Sequence, residues 1–129
     1  MDNIKYSVRM TPVVYSELLS IVEPRLQEGV WESRKITTVI EQKIWGNFPK
    51  VVYVVLDAQN VVAYVGSTNR TIAERLSEHV KIDNRSNWTR VMIIPLKSGL
   101  QDSELRMYEG IVGRRLRPYN NSKLPASFS

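Results

Sequence analysis

Arg75 and His79 stand four residues apart in AYVGSTNRTIAERLSEH, the stretch from Ala63 to His79, and His79 is the only histidine of the chain. On a helix these two positions fall on one face, one turn apart. A guanidinium and an imidazole then meet at the margin of the apolar stripe Ile72, Leu76 and Val80, an arrangement suited to a bound anion. Two phenols, Tyr53 and Tyr64, sit eleven positions apart on consecutive apolar runs. Glu109 falls beside the helical seam Leu105, Tyr108, Val112 and Leu116. An isolated carboxylate there is costly unless it is paired, protonated or bound to a cation; Arg106 and Arg115 are candidate partners in sequence. Arg114, Arg115 and Arg117, with Lys123, form the densest basic cluster, which is either a footprint for a phosphate backbone or the charge complement of a helix C-terminus.

The elements that must position these groups can be outlined from pattern. Val51 to Leu56 and Val61 to Gly66 form a β-hairpin across Asp57-Ala58-Gln59-Asn60. Symmetric pairing puts Leu56 opposite Val61 and Tyr53 opposite Tyr64, so that the two phenols lie side by side. Thr71-Ile72-Ala73-Glu74 is a capping box that starts the helix carrying Arg75 and His79. Trp88 to Leu96 is a further strand, with Pro95 marking an edge or an end. Asp102 or Ser103 caps a last helix, which Pro118 stops.

Ahead of the hairpin the texture differs. Ile4 to Met10 alternates apolar and polar residues as a half-buried strand does. Thr11-Pro12 then opens a helix over Val14, Leu18 and Ile21/Val22 that ends near Pro24. Ser33 caps a second helix through Ile36, Val39/Ile40 and Ile44, and Gly46-Asn47-Phe48-Pro49 marks the boundary between two sections.

The totals exclude much. At 129 residues the chain accommodates one compact domain with an appendage. Without cysteine there is no disulfide, thiolate metal site or thiol nucleophile, and one histidine excludes a multi-histidine cage. The start lacks a signal-peptide pattern and the longest apolar run, Val51 to Leu56, is far too short to span a bilayer, so a cytoplasmic protein without a membrane partner is expected. Phosphate-loop, dinucleotide-fingerprint and nucleophile-elbow motifs are absent. Residues 1–49 carry six Lys/Arg against six Asp/Glu, whereas residues 50–129 carry twelve against seven; the second section holds the whole excess of +5.

From Val51 to Asn121 the constellation resembles the GIY-YIG nucleases. Val51-Val52-Tyr53 stands where that family has Gly-Ile-Tyr, and Tyr64-Val65-Gly66 where it has Tyr-Ile-Gly. Arg75 and His79 follow in an RLxxH form, and YEGIVGRRLRPYNN supplies a glutamate, Glu109, nine residues before Pro118, with Asn120 or Asn121 beyond. Val51 in place of the family's glycine is a departure. The resemblance implies hydrolysis of a phosphodiester in DNA. Glu109 would hold one Mg²⁺ (or Mn²⁺), Arg75 would stabilise transition-state charge, Tyr53 and Tyr64 would position and deprotonate water with help from His79, and an asparagine would brace the site. Residues 4–44 show a fainter likeness to ribbon-helix-helix DNA-binding proteins, in which Lys5, Ser7 and Arg9 would enter the major groove.

The expectation is therefore an α/β (more narrowly α+β) chain with a small mixed sheet and a β-hairpin flanked by helices. Residues 1–48 would form a strand-helix-helix element for DNA binding or dimerisation and residues 49–129 the nuclease-like domain. Arg70, Arg114, Arg115 and Arg117 are expected to meet DNA. A single site nicks, and a homodimer would cut both strands. The alternative is an inactive DNA-binding regulator built on the same scaffold; an RNA-directed nuclease is a third reading.

Overall fold

The computed structural model describes residues 7–22, 32–83 and 87–121. Its centre is the strand β2, Val51–Leu56, every residue of which is buried. A strand covered on both faces has no polar face to alternate with, which is why this segment is a continuous apolar run. Val52, Val54 and Leu56 enter one core with α1 (Pro12–Leu19) and α4 (Asp102–Leu116), while Val51, Tyr53 and Val55 enter a second with α2 (Ile36–Gln42) and α3 (Ile72–Asp83).

The sheet also contains β1 (Arg34–Lys35), β3 (Val62–Thr68) and β4 (Arg90–Pro95), in the order β1-β4-β2-β3. Every ladder is antiparallel, so the mixed sheet expected from the sequence is not formed. Its reason is topological. The β3-α3-β4 crossover does leave two strands running in the same sense, but β2 lies between them. The chain is an α+β sandwich, with β3 at one edge of the sheet.

The hairpin register also departs from symmetric pairing. Asp57 turns its carboxylate back on the loop, accepting from Gln59 N at 2.9 Å and Val61 N at 3.0 Å, and Asn60 takes a left-handed φ of 63° that asparagine tolerates. Leu56 then pairs with Val62 and Val55 with Tyr64, which leaves Ala63 as the extra residue of a bulge. Tyr53 consequently faces Gly66, and the two tyrosines are diagonal neighbours on one face instead of directly opposed.

Near the N-terminus, Thr11 caps α1 as its type requires, its Oγ1 accepting from Val14 N at 3.2 Å. Tyr15 donates its hydroxyl to the Ile93 carbonyl at 3.0 Å and Leu18 is fully buried, so α1 packs on the same sheet as α4. The expected strand over residues 4–10 lies partly outside the described residues. Its described end makes a single bridge, Arg9 to Val61, with further bonds from Val8 N to Leu116 O and from Met10 N to Asn60 O. α1 ends at Leu19, short of Pro24.

Three caps differ from expectation. Lys35 precedes α2, while Ser33 accepts from Arg90 Nε at 2.7 Å, and α2 stops at Gln42 because Lys43 turns left-handed. Gln101, not Asp102 or Ser103, caps α4 in a reciprocal box with Glu104. Thr71 caps α3 through Glu74 N, but the Glu74 carboxylate bonds the same hydroxyl instead of a backbone donor. No helix among the described residues is long and apolar enough to cross a membrane.

Candidate active site

Edge strand β3 carries one group of residues on each face. Tyr64 and Gly66 look toward α3; Val65 and Ser67 look toward α4. On the α3 side the Tyr53 ring lies across Gly66 so closely that a Cβ there would overlap Cζ and Oη of the phenol. The glycine of the Tyr-Val-Gly motif is thus the gap into which Tyr53 fits. Tyr53 is wholly buried, and its Oη lies 2.9 Å from His79 Nε2, with His79 itself only 7% exposed. Tyr64 stacks on Tyr53 with 6.1 Å between ring centroids, while His79 and Trp88 each lie 5.0 Å from Tyr64.

Burial pushes the Tyr53 phenol far above its ordinary range; the neighbouring Tyr64 adds to the rise and Arg75 opposes it. Tyr53 is therefore a neutral phenol sharing a hydrogen bond with His79. Tyr64 is only partly buried.

On the α4 side Ser67 Oγ donates to Glu109 Oε1 at 2.5 Å. This bond settles the partner question left open by spacing: the hydroxyl of β3, not Arg115, takes the carboxylate, and Arg106 contributes by charge. Burial raises the Glu109 carboxyl above its ordinary range, against the opposing effects of Ser67, Arg106 and Arg75. Glu109, Arg75, Ser67, Arg70, Arg106 and Asp102 line one cleft of about 420 Å³.

Arg75 reaches this cleft from the first turn of α3, with its side chain 35% exposed and Nη1 3.1 Å from Glu78 Oε1. Arg70 forks onto the same carboxylate through two bonds of 2.7 Å. The bonds from Arg70, then from Arg75, hold Glu78 down at about 2.

The two asparagines do different work. Asn121 accepts from Val65 N at 3.0 Å and donates to Val65 O at 3.0 Å, so its amide acts as a one-residue strand on the free edge of β3. Asn120 donates its backbone N–H to Ala63 O at 2.7 Å and accepts from Trp88 Nε1 at 2.9 Å, fixing the indole beside Tyr64 and His79.

The remaining basic candidates lie elsewhere. Arg114 donates to Gly110 O in its own helix, Arg115 pairs with Glu17 at 2.6 Å, and Arg117 turns left-handed at the end of α4, its carbonyl accepting from Ser7 Oγ. None of the three lines the cleft. Lys5 lies outside the described residues. Pattern reading missed Ser67 and Glu78. Ser67 was detectable only as the residue after the glycine on an alternating strand, and Glu78 only as a carboxylate three residues after Arg75.

Among the described residues no group of three or more histidine, aspartate or glutamate side chains converges on one point. Two carboxylates in the cleft lining, the half-buried Glu109 and the exposed Asp102, do not suit zinc, which takes three or four protein ligands. Glu109 does fit a hard divalent cation that keeps most of its waters and shares phosphate oxygens with a substrate.

Comparison with curated proteins and with solved structures gave no match. A family model described as the GIY-YIG catalytic domain matches residues 49–116. Members of that family are usually nucleases and generally depend on a divalent metal. The matched segment covers more than half of the chain and runs from the residue before Lys50 to the end of α4, taking in both tyrosine motifs and the helices that carry Arg75, His79 and Glu109, so the chain belongs to the GIY-YIG family.

Proposed function

We propose that this chain is a metal-dependent endonuclease that hydrolyses phosphodiester bonds of DNA in the cleft between β3, α3 and α4. The observation that carries this reading is the convergence of Arg75 and the half-buried Glu109 on one cleft; Tyr53, Tyr64 and His79 do not line it, and Arg75, which also acts on the Tyr53 phenol, is the link between the two groups. Glu109 would hold the cation, Mg²⁺ or Mn²⁺, which when bound polarises the phosphoryl oxygen and offsets its charge. Arg75 donates to the non-bridging oxygens as negative charge builds on them. Tyr64, more exposed than Tyr53, gives its phenol proton to solvent and as the phenolate accepts a proton from the attacking water, while Tyr53 fixes the imidazole of His79, whose ring lies 5.0 Å from that of Tyr64. The water oxygen bonds to phosphorus, the P–O bond to the leaving sugar oxygen breaks with its electron pair going to that oxygen, and the oxygen takes a proton from solvent.

A purely binding role fits less well. A carboxylate that burial penalises, set where phosphate must approach, weakens affinity unless a cation joins it. Arg75 and Glu109 meet in one cleft, so one protomer nicks one strand, and Arg70 in the lining of that cleft is a natural contact for a neighbouring phosphate. Lys5, Ser7 and Arg9 would contribute DNA contacts from the N-terminal element of residues 1–48, and Arg114, Arg115 and Arg117 from the far end of α4.

Single-turnover cleavage of an end-labelled duplex tests the reading. With Mg²⁺ the wild type should cut, and Arg75→Ala should be slower by about a hundredfold to a thousandfold, the usual cost of removing a transition-state donor. Equal rates for the two proteins would remove Arg75 from the reaction.

A further inference from the structure

Glu78 accepts three charge-assisted hydrogen bonds, two from Arg70 and one from Arg75. All three side chains are between about a third and half exposed, 37% for Glu78, 47% for Arg70 and 35% for Arg75. Ion pairs this exposed contribute little to stability, so the fold has little use for the array. Its placement is what gives it a purpose, since both arginines line the cleft with Glu109. A guanidinium carries five donors in a rigid fork. Arg70 spends two on Glu78 and Arg75 spends one, so each keeps N–H groups for phosphate while its side chain is held at a fixed place. Arg75 also lies against the Tyr53 phenol, so a shift of Arg75 is a shift within the reacting site.

We infer that Glu78 is a positioning residue that holds Arg75 and Arg70 as a paired guanidinium clamp, Arg75 for the scissile phosphate and Arg70 for its neighbour on the DNA backbone. Arg75's share of this rests on the nuclease reading; the coupling of Arg70 to Glu78 does not. A carboxylate among phosphate-binding arginines repels the ligand, so Glu78 costs affinity and supplies alignment. That combination has a signature that a merely structural residue lacks.

The test uses the full chain with Glu78→Gln, Arg70→Gln and the double variant. Duplex affinity is measured by anisotropy of a labelled DNA in EDTA, and single-turnover cleavage is measured in Mg²⁺. Glu78→Gln should leave affinity unchanged or tighter and slow cleavage by about tenfold to a hundredfold, the scale of a misplaced catalytic group. Arg70→Gln should weaken binding of the wild type and do so less in the Glu78→Gln background. Cleavage by Glu78→Gln at the wild-type rate overturns the inference, and so does an Arg70→Gln loss of the same size in both backgrounds. Joint loss of affinity, rate and melting temperature in Glu78→Gln marks a structural residue and also overturns it. A wild type that binds but does not cut removes the nuclease reading and leaves the coupling of Arg70 to Glu78 in binding as the deciding result.

Discussion

Glu109→Gln is expected to lower the cleavage rate by more than about a thousandfold while melting no lower than the wild type at neutral pH. The loss follows from the role assigned to the carboxylate: cation assistance at a phosphoryl centre is worth several kcal/mol, and about 1.4 kcal/mol is a factor of ten in rate. Glutamine matches glutamate in size and keeps an oxygen for the Ser67 hydroxyl, so the fold loses no contact. Stability moves the other way. Burial raises the Glu109 carboxyl in the folded chain, so the folded state prefers the protonated form. Its contribution to stability is complete below the unfolded value, near about 4.3, and is lost as pH rises through the higher folded value. Glutamine has no such loss. Thermal melts from pH 4 to pH 8, without added metal, should therefore show the variant gaining on the wild type as pH rises. A wild-type rate in the variant, or a melting temperature well below the wild type at pH 7, would contradict this account of Glu109.

Gly66→Ala is the substitution expected to damage the fold most for the fewest atoms added. The new Cβ would overlap Cζ and Oη of Tyr53. Tyr53 has nowhere to withdraw, being wholly buried on the central strand with its hydroxyl bonded to His79. Overpacking of a rigid core costs about 1–3 kcal/mol and sometimes more. With both rings pinned we expect about 3 kcal/mol, a fall in melting temperature on the order of 10 °C for a chain of this size. Cleavage by the folded fraction should fall too, because the Tyr53-His79 bond must stretch to admit the methyl. Gly99→Ala is the control, since nothing lies within 4 Å of the added atom. A Gly66→Ala protein as stable and active as Gly99→Ala would show that the Tyr53 ring is not confined as described.

What could be read from the sequence depended on whether its cause was local. The β2 run, the Thr11-Pro12 start of α1, the hairpin and the seam of α4 all follow from periodicity and turn chemistry within a few residues. The Tyr53-Tyr64 register did not, because the Asp57 carboxylate and the left-handed backbone of Asn60 build a turn that goes with a bulge at Ala63, and counting inward from symmetric ends cannot detect an extra residue. The antiparallel sheet was missed because a β-α-β crossover gives no sign in sequence of a third strand lying between its ends. The candidate residues Tyr53, Tyr64, Arg75, His79 and Glu109 could be picked out by joint order and spacing. Ser67 and Glu78 could not, since each acts only through a partner, Glu109 in one case and two arginines in the other. Asn120 and Asn121 were indistinguishable by spacing, yet one braces Trp88 and the other pairs with Val65.

The central claim is hydrolysis of a DNA backbone with the help of a divalent cation. Wild-type protein incubated with supercoiled plasmid, in Mg²⁺ and in parallel with EDTA, tests it most directly. The account predicts conversion to the nicked circle in Mg²⁺, with linear plasmid appearing later as a second nick accumulates opposite the first, and an unchanged supercoiled band in EDTA. Plasmid that stays supercoiled in both, across a panel of mixed-sequence substrates that the protein demonstrably binds, would contradict it.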